Sequence, residues 1–75
     1  MPGPVIVRAD WDEEAKVWTA SSHDVYGLNT EADSIEQLRA KLPGMIADLL
    51  EANNVAVPPT SIEIIAYVRD RFLAA

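Results

Sequence analysis

Only one stretch of this chain repeats its apolar residues at helical spacing. Ile35, Leu38, Leu42, Met45, Ile46, Leu49 and Leu50 fall along one stripe, while the other apolar segments alternate with a period of two or are too short for a helix. One such stripe can shield one face of one small sheet, so the chain must build its remaining structure from strands.

The start of the helix is marked by Ser34 three residues before Gln37, and by Asp33 three before Glu36; either pair makes a capping box. Glu36 also sits in the first turn, where the helix dipole favours an anion. Pro43-Gly44 interrupts the stripe, and a mid-helix proline costs ~3 kcal/mol by removing a hydrogen bond and crowding the previous turn. The apolar phase nevertheless continues from Leu42 to Ile46. The spacing therefore predicts one kinked helix from Ser34 to Ala52, with Asn53-Asn54 supplying a left-handed cap.

Before the helix, Val5 to Trp11 is β-branched and places Val5, Val7, Ala9 and Trp11 on one face. Asp12 to Ala15 is a polar turn. Lys16 to Ser21 is a second strand with Trp18 and Ala20 on one face, so the two form an antiparallel hairpin. Ser22 to Gly27 reads as a loop, with Gly27 at positive φ, and Leu28 to Ala32 as a short third strand. After a connector, Val55 to Pro59, the segment Ser61 to Arg69 is a fourth strand that can extend to Leu73.

The fold class is thus α+β, in the order β-β-β-α-β. A helical crossover into a parallel strand is right-handed in ~98% of cases. The economical sheet order is 3-2-1-4, with the last strand parallel to the first and the helix on one face. The other face carries Ile6, Arg8, Val17, Thr19, Glu63, Ile65, Tyr67 and Arg69, too apolar a mixture to suit solvent.

The chain is expected to be one domain, residues 1–75, and at 75 residues without a cysteine it has no disulfide to strengthen a small core. Oligomerisation or a partner is the expected remedy. The segment from Ser61 to Leu73 would span ~43 Å at ~3.3 Å per residue, against ~23 Å for the first strand. Its overhang, with Phe72 and Leu73, must either fold back or pair with another chain, and a homodimer or higher symmetric oligomer is expected, using the last strand and the uncovered sheet face.

Twelve acidic and six basic residues give a net charge of −6. The basic ones, Arg8, Lys16, Arg39, Lys41, Arg69 and Arg71, are dispersed, which argues against direct nucleic-acid binding and favours a basic protein partner. No apolar run approaches the ~18 residues needed to span a bilayer, and Met-Pro-Gly-Pro lacks the features of a signal peptide. A soluble cytoplasmic protein without membrane contact is expected.

Residues 7 to 34 carry the skeleton W-D-x-E-A-x-V-W-x-A, then D-x-x-G-L-x-T-E-A-D-S, leading into the capped helix. This resembles the short, single-domain branch of the HicB-like antitoxin family, a branch known chiefly as a domain of unknown function. The similarity extends over about residues 5 to 70. Tyr26 stands where the broader family pattern usually has Pro, and Ala32 where it has Gly. The resemblance implies a partial RNase H-like fold of the β-β-β-α-β order. It also implies a protein that binds and masks a small basic mRNA-cleaving toxin, HicA-like. The chain ends soon after its last strand, so the C-terminal DNA-binding module of typical relatives is not expected.

The implied fold raises a metal-dependent nuclease reading, in which Asp10, Glu36 and Asp70 would hold metal ions. The simpler reading makes Asp10 a hairpin residue, Glu36 a helix cap and Asp70 a strand-end acid between two arginines. His23 beside Asp24, with Ser21 and Ser22 nearby, could suggest an acid–base pair, but adjacency in sequence is not triad geometry. One histidine and no cysteine leave little for zinc. The expectation is a protein without catalysis, cofactor or metal: an antitoxin-like interaction module or, alternatively, an orphan homo-oligomer without a toxin. The candidate contact residues are Trp11, the acidic turn Asp12, Glu13 and Glu14, and Ile65, Tyr67 and Phe72 of the last segment.

Overall fold

A computed structural model describes residues 3–55 and 59–67. The strands are β1 (Val5–Asp12), β2 (Val17–Ser21), β3 (Asn29–Ala32) and β4 (Ile62–Tyr67), and the helix α1 (Ile35–Ala52) lies between β3 and β4. They form one sheet in the order β3-β2-β1-β4. β1 pairs antiparallel with β2, β2 antiparallel with β3, and β1 parallel with β4. The α+β class and the 3-2-1-4 order are those expected from the sequence.

The boundaries differ in instructive ways. β1 runs on to Asp12 because Asp12 pairs with Val17 across the hairpin. β2 starts at Val17, since Lys16 adopts φ 59°, a left-handed conformation that ends extended backbone. β3 starts at Asn29 because Leu28 closes a turn, its N–H donating to the Val25 carbonyl at 3.2 Å. Gly27 takes φ 86° in that turn, where a side chain would be strained. The part of the expected last strand beyond Tyr67, including Phe72 and Asp70, lies outside the described residues.

The core is the contact between α1 and one sheet face. Val5, Val7 and Ala9 of β1 and Ala20 of β2 are buried with Leu38, Leu42 and Ile46 of the helix. Trp18, Ile62 and Ile64 pack around this cluster, half-buried. Val25, expected in a loop, and Leu28, expected in the third strand, join it at 1% and 4% exposure.

The helix forms as its signals direct. Ser34 is the N-cap: its Oγ accepts from the Gln37 N–H at 3.1 Å. The Gln37 side chain reaches back one residue further than a standard capping box, accepting from the Asp33 N–H at 3.0 Å. α1 continues unbroken through Pro43, which with Gly44 lies on its exposed side. At the other end Asn54 adopts φ 61°. The Val55 N–H donates to the Leu50 carbonyl at 2.8 Å and the Asn54 N–H to that of Glu51 at 3.1 Å. These two bonds are the Schellman pattern, and they satisfy carbonyls the helix leaves open.

Two loop side chains carry the sheet past the end of β2. The β1–β2 ladder stops at the Arg8↔Ser21 pair. Beyond it, the Ser22 hydroxyl donates to the Ile6 carbonyl at 2.6 Å, and the Asp24 carboxylate accepts from the Ile6 N–H at 2.8 Å. Both peptide groups of Ile6 are thereby paired where no strand reaches them, which removes the cost of leaving backbone groups without a partner.

Candidate interaction surface

Alternation along the strands puts Ile6, Arg8, Asp10, Val17, Thr19, Glu63, Ile65 and Tyr67 on the face opposite α1. Ile65 and Tyr67 are 45% and 48% exposed there. Arg8 faces Ile65 across the β1–β4 pair, and Asp10 faces Tyr67. The Arg8 guanidinium lies 4.4 Å from the centroid of the Tyr67 ring, and its Nε is 3.0 Å from an Asp10 carboxylate oxygen. The hydrogen bond that Arg8 donates to Asp10, reinforced by the carboxylate's charge, raises the Arg8 pKa above its ordinary value. Arg8 is thus a cation held over an aromatic ring by a carboxylate. Ile6, Ser22, His23, Ile65 and Tyr67 border a shallow groove on this face.

The two edges of the sheet are unlike. β3 is four residues long and polar, and Lys41 of α1 reaches its Glu31 carbonyl at 2.8 Å. A short strand touched by a lysine is a protected edge. β4 is six residues long, Ile-Glu-Ile-Ile-Ala-Tyr, and no hydrogen bond reaches its outer edge among the described residues.

Trp11 lies on the helix-side face, not the open one. Its ring meets that of Trp18, its cross-strand neighbour, edge-on at 5.4 Å between centroids and 60° between planes. The indole N–H donates to Glu13 at 2.6 Å, and Lys16 pairs with the same carboxylate. These contacts lower the Glu13 pKa, Lys16 more than Trp11. Asp12 is occupied as well, accepting from the N–H groups of Glu14 and Ala15 at 3.0 and 3.1 Å. Two of the three acids proposed as partner contacts thus hold their own hairpin together. Glu14 alone makes no side-chain hydrogen bond among the described residues.

The Glu13 contact gives a testable acid response. A carboxylate with a lowered pKa contributes its contact above the unfolded-state value and loses it as pH falls through the folded-state value. Tryptophan emission is expected to change with a midpoint below the ordinary glutamate pKa of ~4.3, and Glu13→Gln is expected to remove the step. A midpoint at or above that value would contradict the contact.

Asp10 and Glu36, two of the three carboxylates of the nuclease reading, do not converge. Asp10 projects from the open face, whereas Glu36 is exposed on α1 across the sheet; Asp70 lies outside the described residues. Among the described residues no cluster of three or more His, Cys, Asp or Glu side chains could hold a metal. The Ser–His–Asp juxtaposition does not form a relay either. The Ser22 hydroxyl is bonded to the Ile6 carbonyl and accepts from the Asp24 N–H at 3.0 Å, while the Asp24 carboxylate is bonded to the Ile6 N–H. Tyr26, 85% exposed, is a surface aromatic outside the expected contact residues. Its place beside Gly27 in a turn was the available signal, because central turn residues project outward. No helix of the described residues is long and apolar enough to cross a membrane.

The fold matches the crystal structure of a hypothetical protein, TTHA1013, from the extremely thermophilic bacterium Thermus thermophilus. The two are 44% identical, with a TM-score of 0.79 over 92% of this chain and 99% of that one. No curated protein gives a significant match. Residues 4–74 match the model of a domain of unknown function, DUF1902, and the chain belongs to that family.

Proposed function

We propose that this protein is a non-catalytic interaction module that binds and masks a small basic protein, in the manner of a HicB-like antitoxin acting in the cytoplasm on an RNA-cleaving toxin. The observation that carries this reading is the uncovered sheet face, where Ile65 and Tyr67 stand half exposed. Apolar residues so placed suit a protein contact. The charge supports a basic partner: Asp10, Glu31 and Glu63 share this face with a single cation of β1, Arg8, and the whole chain carries −6. The resemblance of residues 7 to 34 to HicB-like proteins, with the β-β-β-α-β order, supports a toxin as that partner.

The test is purification of the chain from its native cell, with mass spectrometry of what co-elutes and an RNA-cleavage assay of it. The expected companion is a small basic protein in stoichiometric amount, whose RNA cleavage stops when the chain is added back and continues when Tyr67→Glu is added instead. Elution without a basic companion would sink the masking reading. The second reading, a homo-oligomer with no toxin, is favoured by a separate observation, the outer edge of β4, which no other described strand covers.

A further inference from the structure

The contrast between the two sheet edges identifies how copies of this chain meet. We propose that the outer edge of β4 pairs antiparallel with the same edge of a second copy, with Ile65 on the two-fold axis. The result is one continuous sheet in the order 3-2-1-4-4-1-2-3. This deepens the homo-oligomer reading and does not depend on a toxin.

The hydrogen-bond pattern fixes which groups are available. Val5 faces Ile62, and its N–H donates to the Ser61 carbonyl at 2.9 Å. In a parallel ladder a residue bonds to the neighbours of its partner, so Ser61, Glu63, Ile65 and Tyr67 turn their peptide groups toward β1. Ile62, Ile64 and Ala66 turn theirs outward, with no strand beside them among the described residues. With Ile65 on the axis, Ile64 falls opposite the partner's Ala66, and each exchanges N–H···O=C bonds through these outward groups. Ile65 meets the partner's Ile65 in the intervening pair without hydrogen bonds, where side chains approach most closely.

The side chains in this register are complementary to themselves. Glu63 falls opposite the partner's Tyr67, the ring that carries the partner's Arg8. A second carboxylate is thus brought to a guanidinium that already has Asp10 beside it. On the helix side, Ile62, Ile64 and Ala66 border a groove whose α1 wall includes Ile35, Leu42, Pro43 and the cation Arg39. The two grooves adjoin across the seam. Isologous pairing makes one strand serve both copies, and it covers the long edge while leaving the protected β3 edges at the ends.

The chain has no cysteine, so a single introduced thiol reports the geometry. Cβ atoms of directly opposed residues are ~4.5–5.5 Å apart, close to disulfide range, whereas two copies of residue 63 would lie ~14 Å apart along the strands. Under mild oxidation Ile65→Cys is expected to form covalent dimer at least tenfold faster than Glu63→Cys or Thr19→Cys, which sit on the same sheet face. Equal rates for Ile65→Cys and Thr19→Cys would overturn the edge contact. Fastest crosslinking by Glu63→Cys would overturn the register.

Discussion

Leu38→Ala is expected to remove a large share of the folding free energy. Leu38 is fully buried between α1 and the sheet. Truncating a buried leucine costs about 2–5 kcal/mol, from lost transfer energy and the cavity left behind. A chain of this length has only about 4–11 kcal/mol in total, taking ~0.05–0.15 kcal/mol per residue. Each kcal/mol shifts the thermal midpoint of so small a domain by ~4–8 °C, so a drop of more than ~8 °C is expected in a calorimetric scan. Leu50→Ala, on the half-buried rim of the same stripe, is expected to cost less. Equal losses at the two positions would contradict the placement of the core.

Pro43→Ala is expected to act in the opposite direction. Proline has no N–H to give the Arg39 carbonyl, and its ring crowds that turn; these effects cost ~3 kcal/mol inside a helix. Pro43 lies on the exposed side of an otherwise unbroken helix, so alanine restores the bond and removes little burial. A gain of about 1–3 kcal/mol is expected, with a thermal midpoint higher by ~4–8 °C for each kcal/mol. A loss of stability would instead show that Pro43 contributes packing at the α1–β4 groove it borders. The residue would then belong to the contact between copies.

The elements that were legible in the sequence are those with a repeated local signal. The stripe from Ile35 to Leu50 and the Ser34–Gln37 cap yielded the helix, and its apolar phase correctly carried it through Pro43. Period-two alternation gave β1 and β4, and the economy of a single crossover gave their parallel pairing. Ile65 and Tyr67 were identifiable as surface apolar residues because the chain has one helix and a sheet has two faces. What was not legible depends on single contacts that leave no periodic trace. Val25 and Leu28 become core residues only because the turn at Gly27 brings them together under the helix. Ser22 and Asp24 read as loop polar residues, yet they pair the backbone of Ile6, far away in sequence. The acidic turn looked free for a partner, but Lys16 at φ 59° and the indole of Trp11 converge on Glu13, and Asp12 closes the turn.

Of the candidate contact residues, those of β4 are better placed for a partner than those of the hairpin tip. The hairpin acids Asp12 and Glu13 are engaged with their own turn, while β4 combines an edge that no described strand covers with half-exposed Ile65 and Tyr67 and an arginine over the tyrosine ring. An isologous seam there would place the apolar residues of both copies at the centre of a wide, acidic platform.

Sedimentation equilibrium of the untagged chain at micromolar concentration tests this most directly. A species of twice the 8.2 kDa chain mass is expected, converted to the single-chain mass by Ile65→Glu, which would set two carboxylates against each other on the axis. A wild-type protein that sediments at 8.2 kDa across that range would contradict it.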